Sequence, residues 1–376
     1  MDQLTFPFYI LAQTVSNARP ELIQRLEEWH KQYSSKEVEQ KLAFNPTTFC
    51  QNVGLNAKHS AKFHSLYHAS SPQQFEYTLN TTSITAINLF EANYPPQLRQ
   101  IPDPPLVLYC QGNRDLFHNQ LTIGVVGSRR ATSYGKLVIQ KLLAPINSQS
   151  VIIVSGLAFG IDAEAHRIAL KNQLPTIAVL GSSIDESHLY PTENINLAKE
   201  ILTNNGLLLS EYPPPTAARK HQFVARNRII AGLSSAVIII EAAEKSGALI
   251  TADFALDFNR TVFAVPGSIL SPMSAGPHRL IQHGALLLQS VQDILAELNL
   301  TALTPAMQQP QSTAVATPKL TAEQQRVLKY MQLEPITFEQ LLVTLAIPTQ
   351  QLQVLLSQLE LKQLIKPIGP QLYQKL

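Results

Sequence analysis

Arg219, Lys220, Arg226 and Arg228 fall within ten residues that contain no Asp or Glu, and Phe223 and Asn227 are interleaved with them. Guanidinium and ammonium groups neutralise phosphate oxygens, and an aromatic face can stack on an unpaired base. The chemistry this segment suits is therefore the holding of a nucleic-acid strand, with a solvated basic turn as the plainer alternative. A second segment, Gly127-Ser128-Arg129-Arg130, follows the apolar run 122–127. A glycine at the carboxyl end of a parallel strand lets backbone approach a ligand, and the helix that follows favours an anion at its N-terminus. Ser133 is placed to cap that helix, and Arg129 supplies a planar fork for phosphate. The dinucleotide fingerprint is absent, since Gly124-Val125-Val126-Gly127 is not G-x-G-x-x-G.

Acid–base or metal chemistry has one candidate. Asp162 and His166 stand at i and i+4 after Ser155-Gly156-Leu157-Ala158-Phe159-Gly160, which puts both on one helix face. No third ligand stands nearby, so a structural hydrogen-bonded pair is expected. Glu241, Ser246, Gly247 and Thr251 follow the most apolar run, and Val265-Pro266-Gly267-Ser268 follows another. Together with Ser155, Gly156, Gly160 and Asp162, they are expected to line a crevice at the carboxyl edge of a sheet. No catalytic set, metal site or cofactor is expected, and no G-x-x-x-x-G-K-[ST] loop is present to hydrolyse ATP.

The elements that must position these residues are legible as short apolar runs. Strands are expected near 84–88, 106–110, 122–127, 151–155, 176–180, 207–210, 236–240 and 261–265, with helices such as 133–147 and 160–172 between them. Strands that are apolar throughout and alternate with helices predict a doubly wound, mostly parallel α/β sheet covered on both faces. Before it, residues 1–75 read as short helices, with a helix start at Asn45-Pro46-Thr47-Thr48 and a tight turn at Val53-Gly54-Leu55-Asn56. Such a glycine turn between helices can seat a phosphate, and a ligand-free helical bundle is the competing reading. Residues 301–318 are a Pro/Gln/Thr/Ala linker. Beyond it, Thr321 with Gln324 makes a capping-box spacing, and helices near 337–345 and 348–361 precede a small β-wing. That suggests a winged helix over 319–376. Its third helix, 349–358, carries no Lys or Arg, which favours docking over duplex reading.

Composition sets outer bounds. The 376 residues are 45% hydrophobic and 15% charged, which gives enough apolar surface to fold. Apolar runs are strand-sized, short of the ~18 residues a membrane span needs. Met1-Asp2-Gln3 lacks the basic region of a signal peptide, and Cys50 and Cys110 are too few for a disulfide framework. A cytoplasmic protein without a membrane partner is expected. The net charge of +2 means that any polyanion must be bound by a local cluster.

In this order, the motifs resemble the DNA-processing protein family DprA, also called Smf. They are Val126-Gly127-Ser128-Arg129, Ser155 to Asp162 with His166, Tyr190-Pro191, Ser210-Glu211, Arg226-Asn227-Arg228, Ser246-Gly247-Ala248 and Val265-Pro266-Gly267. Tyr94-Pro95-Pro96-Gln97-Leu98 and Pro104-Pro105-Leu106 upstream also fit. The resemblance implies an extended Rossmann-like fold over 76–300, flanked by a helical domain (SAM or helix-hairpin-helix-like) over 1–75 and the winged helix. It implies a single-stranded-DNA-binding recombination mediator rather than an enzyme, which dimerises and loads RecA onto incoming DNA in natural transformation. Single-strand-binding protein is a further implied partner. The expected strand-binding residues are Gly127, Ser128, Arg129, Lys220, Phe223, Arg226, Asn227 and Arg228. The resemblance also places the subunit contact near 276–289, with His278, Leu280, Ile281 and Leu287 as its residues.

Departures touch loops. Phe223-Val224-Ala225-Arg226 lacks the family's proline, Ser183-Ile184-Asp185 stands where Gly-Leu-Asp is common, and many members have Asn at His278. Two rivals share this type of sheet. One is a nucleotide phosphoribohydrolase, whose Pro-Gly-Gly-x-Gly-Thr signature is broken here at Pro266-Gly267-Ser268-Ile269-Leu270. The other is a nucleotide sensor with no DNA role.

Overall fold

Alternation along the strands explains the layering. In 151–155, Val151 and Ile153 pack with one core while Ile152 and Val154 pack with another. In 236–239, Ala236 and Ile238 divide from Val237 and Ile239 in the same way. A strand buried on both faces has to be covered on both, which is why these runs carry no polar alternation. The computed structural model describes residues 5–15, 19–33, 44–118, 121–146, 151–298, 321–331, 336–362, 364–369 and 372–375. Met1–Gln308 and Gln309–Leu376 form two compact units.

In the first unit, the helices α1 (Thr5–Thr14), α2 (Pro20–Tyr33), α3 (Pro46–Asn52), α4 (Ala57–Ala69) and α5 (Pro72–Thr81) precede the sheet. The strands are β1 (Thr85–Asn88), β2 (Val107–Gly112), β3 (Leu121–Val126), β4 (Val151–Ser155), β5 (Thr176–Leu180), β6 (Leu207–Ser210), β7 (Ala236–Ile239), β8 (Thr261–Ala264) and β9 (Leu286–Leu287). Between them run α6 (Pro96–Arg99), α7 (Ser133–Leu143), α8 (Ile161–Lys171), α9 (Ile195–Thr203), α10 (Lys220–Leu233), α11 (Gly247–Asp257) and α12 (Ala275–Gln282). Helix α13 (Val291–Glu297) follows β9.

The strand order is β1-β2-β6-β5-β4-β3-β7-β8-β9. Every pairing from β6 to β9 is parallel, and β2 runs antiparallel to both β1 and β6. The chain leaves β3 toward β4 on one side and later returns on its other side as β7. Helix α7, which follows β3, packs in one core, and α11, which follows β7, packs in the opposite one. The switch in strand order therefore falls at β3 and β7, and a ligand crevice is expected beyond their carboxyl ends. The sequence did not reveal β9, because a two-residue strand leaves no run to detect.

Residue 75 does not divide two cores. Phe8, Trp29, Phe49 and Phe63 belong to the same buried cluster as Ile87 and Tyr109 of the sheet, and the Phe75 and Tyr109 rings meet edge to face at 6.5 Å. The expected linker, 301–318, lies outside the described residues.

The second unit holds α14 (Ala322–Tyr330), β10 (Ile336–Thr337), α15 (Phe338–Leu345), α16 (Thr349–Leu361), β11 (Ile365–Gly369) and β12 (Leu372–Lys375). Its strands pair in the order β10-β12-β11. The capping box at Thr321 and Gln324 is formed. Leu328, Leu341, Leu345, Leu352, Leu356 and Leu359 fill its core. This is a winged helix.

Candidate nucleic-acid interface

Three βα turns build the floor of the crevice. After β3, the Ser128 N–H donates to the Glu241 carbonyl at 2.7 Å, and the Ile161 N–H donates to the Ser128 carbonyl at 3.1 Å. The turn is thereby tied to the segments after β7 and β4. Gly160 has φ +77, and a Cβ there would meet the Ser128 carbonyl, so a side chain would push the first turn away. Ser128 Oγ accepts from the Arg130 N–H at 3.0 Å, which turns the backbone out and leaves Arg129 exposed. Thr132, one residue before the expected Ser133, is the cap of α7: its Oγ1 accepts from the Gly135 N–H.

Helix α10 supplies the wall. Lys220, Phe223 and Asn227 lie at i, i+3 and i+7 and share one face, while Gln222, Arg226, Ile229 and Ile230 are buried on the other. Gln222 accepts from the Arg219 N–H and fixes the first turn, where Arg219 and Lys220 are both exposed. The Arg129 guanidinium lies 5.4 Å from the centre of the Phe223 ring. Gly181 leaves room for that ring, since a Cβ there would meet Phe223 Cδ1 at 2.7 Å. Tyr190 lies beside it, the two rings 5.4 Å apart and tilted, with Tyr190 41% exposed. The sequence offered Tyr190 only as part of a motif; two aromatic residues thirty-odd positions apart carry no signal of meeting.

Two of the four clustered cations are not available to a ligand. Arg226 is 3% exposed, and its Nη1 donates to the carbonyls of Gly156 (2.6 Å) and Val179. Gly156 has no Cβ because the guanidinium occupies that space. Burial lowers the Arg226 pKa to about 10 against the attraction of Asp162. Arg228 is 6% exposed and grips Glu211 with both nitrogens, Nη1 to Oε1 at 2.9 Å and Nη2 to Oε2 at 2.7 Å, while its Nε donates to Asp103 at 3.0 Å. Burial works against its charge, and Glu211 and Asp103 outweigh it. Both expected phosphate ligands are therefore internal braces. Asn227 also braces, since its Nδ2 donates to the Gly247 carbonyl at 3.2 Å and ties α10 to the start of α11.

The crevice-lining residues behave similarly. Ser155 Oγ donates to the Val125 carbonyl at 2.6 Å. Asp162 accepts backbone N–H groups from Gly127, Gly156 and Ala158; burial raises its pKa, and Arg226 opposes the rise. Glu241 is buried and accepts both the N–H and the hydroxyl of Thr132. Ser246 Oγ caps α11. Thr251 is buried, and its hydroxyl has no partner among the described residues.

Asp162 and His166 are braced separately rather than as the expected pair. His166 Nδ1 lies 2.7 Å from Thr176 Oγ1, which itself donates to the Ile153 carbonyl, so Nδ1 is the protonated nitrogen. Burial lowers the His166 pKa to about 3, so it is neutral at pH 7. Among the described residues no group of three His, Cys, Asp or Glu could hold a metal.

Of the expected contact residues, Leu280 is 9% exposed and belongs to the core, which removes it from any subunit surface. Ile281 is partly buried against the same core. His278 Nε2 lies 3.0 Å from the Gly267 carbonyl. Leu287 is 44% exposed on β9, whose sole partner among the described strands is β8.

The fold and crevice define a mostly parallel α/β protein that presents exposed cations and aromatic rings at its switch point. A family model described as DNA recombination-mediator protein A matches residues 85–299, and one described as the DprA winged helix domain matches residues 311–368. The chain belongs to the DprA (Smf) family of DNA-processing proteins. It is 45% identical over 215 residues to the DNA processing protein DprA of Bacillus subtilis, covering 57% of this chain and 71% of that one. The X-ray structure of Streptococcus pneumoniae DprA superimposes with TM-score 0.67 and 35% identity, over 79% of this chain and 99% of the other. A Helicobacter pylori DprA structure, reported for its single-stranded DNA binding mode, gives TM-score 0.52 and 32% identity over 58% and 96%. No helix among the described residues is long and apolar enough to cross a membrane.

Proposed function

We propose that the chain binds single-stranded DNA at the switch-point crevice and passes it to RecA in the cytoplasm, as a mediator in natural transformation. The observation that carries this is the row formed by Tyr190, Phe223 and the Arg129 guanidinium, with Lys220 exposed at the start of the same helix. Partly exposed rings take unpaired bases without regard to sequence, and the two cations take the phosphates between them. Phosphate contacts exchange readily, which suits a protein that must give the strand up. The single-stranded DNA binding reported for the Helicobacter pylori relative supports the same reading. The carboxylates that a phosphoribohydrolase would need free, Asp162 and Glu241, are committed to backbone N–H groups and to Thr132. Leu287 on the open edge of β9 is the residue through which a second copy would pair.

The test is filament nucleation on strand already coated with single-strand-binding protein. The chain should accelerate the cognate RecA without hydrolysing ATP itself. Nucleation no faster with the chain than without it removes the mediator role, even if strand binding persists.

A further inference from the structure

The glycine turn between α3 and α4 borders a groove of about 520 Å³, whose lining includes Arg19, Arg25, Gly54, Asn56 and His59. Gly54 has φ +68, and a Cβ there would collide with the Arg25 guanidinium, so that cation lies against bare backbone. Arg19 stands at the entry to α2, and Lys58 is exposed on the first turn of α4 beside His59. Among the described residues, neither arginine is in an ion pair, and Glu21 is the one carboxylate in the lining. Lys62 is committed elsewhere, to the carbonyls of Gln13 and Thr14.

We propose that this groove is a second phosphodiester-binding site, which takes the backbone of nucleic acid through Arg19, Arg25 and His59 irrespective of base or strandedness. The turn itself is not the seat. The N–H groups of Val53, Gly54 and Leu55 already donate to Phe49, Gln51 and Cys50, so the side chains have to hold the anion. The 13-residue helix α4, opened by the Asn56 cap, adds its positive end to theirs. No Phe, Tyr or Trp is among the lining residues, and the His59 imidazole is the one ring an unpaired base would meet. The groove thus differs in kind from the crevice of α10, where rings stand beside cations, and duplex is the ligand that separates the two.

The probe is a fluorescently labelled 20-base-pair duplex, titrated with the full chain in parallel with an oligo-dT strand. Arg19→Glu/Arg25→Glu should weaken duplex binding on the order of tenfold and lower the log–log salt slope by about 1.8, two duplex phosphate contacts. Arg19→Ala/His59→Ala, which leaves Arg25 on the turn, should weaken duplex in the same direction. Arg129→Ala/Lys220→Ala should weaken oligo-dT and leave duplex binding within twofold of wild type. Circular dichroism checks that each variant is folded. Unchanged duplex affinity in both groove variants overturns the site. So does a wild-type chain that binds no duplex at low salt, or duplex binding that is lost with the crevice variant instead. Failure of the crevice reading would show independently, in the oligo-dT arm.

Discussion

Helix α10 divides its cations between two tasks within three turns. At its start, Lys220 and the neighbouring Arg219 are exposed, and Phe223 meets a guanidinium from another turn of chain. In its middle, Arg226 and Arg228 are buried against carbonyls and carboxylates, on opposite sides of the exposed face. The residue type is nearly the same; the partners are not. A guanidinium that fills the space over Gly156 and holds the Gly156 and Val179 carbonyls shapes the crevice without touching what enters it. An exposed one, with water as its other partner, can exchange that water for phosphate. Charge clustering in sequence therefore reports a site's neighbourhood, and burial decides which members act on the ligand.

The sharpest break of this comparison is at the buried pair. Arg226→Ala strands Asp162, and Arg228→Ala strands Glu211 and Asp103, so each should cost about 3–5 kcal/mol of unfolding free energy in urea titration. A loss under 1 kcal/mol in either would show that the cation was dispensable to the fold.

Next in size is a pH effect from the same interior. The His166 pKa falls from 6.5 in the unfolded chain to about 3 in the folded one. Below pH 6.5 the unfolded state takes up a proton that the folded state refuses, so stability falls as pH falls, down to about pH 3. Between pH 6.5 and 5, wild type should lose about 2 kcal/mol more than His166→Gln, which keeps Asp162 and so cancels its opposite trend. Parallel stability curves would mean that His166 is solvated.

Smaller again is the aromatic row. Tyr190→Ala should weaken oligonucleotide binding by about 1 kcal/mol, the lower end for a stacked base, and Phe223→Ala by somewhat more. Equal binding by both variants would reduce the crevice to its charges. Smallest for stability is Leu287→Asp: the residue is exposed, so light scattering should find a folded monomer. An unchanged dimer would move the contact to another surface.

Much of the sheet was legible because each strand is a short apolar run and the turns after β3, β4 and β5 follow one with a glycine. What was not legible depended on partners distant in sequence. Arg228 is paired with Asp103, 125 residues earlier, and Arg226 with the carbonyl of Gly156, 70 residues earlier. One local signal was available. Arg226 shares the spacing i, i+3, i+4, i+7 with Ile229, Ile230 and Leu233, all buried, which phases it inward, whereas Lys220, Phe223 and Asn227 phase outward. The antiparallel β2 and the merging of the first five helices into the main core follow from side-chain contacts across the sheet edge, such as Phe75 with Tyr109, that no periodicity encodes.

The division of labour along α10 is tested most directly by a salt titration of oligo-dT binding with Arg129→Ala/Lys220→Ala, alongside its urea midpoint. Removal of two single-strand phosphate contacts should lower the log–log slope by about 1.4 and weaken binding at every salt concentration, with the midpoint unchanged. A wild-type slope and affinity in the double variant would contradict the account, because the strand would then be held by cations other than the exposed pair.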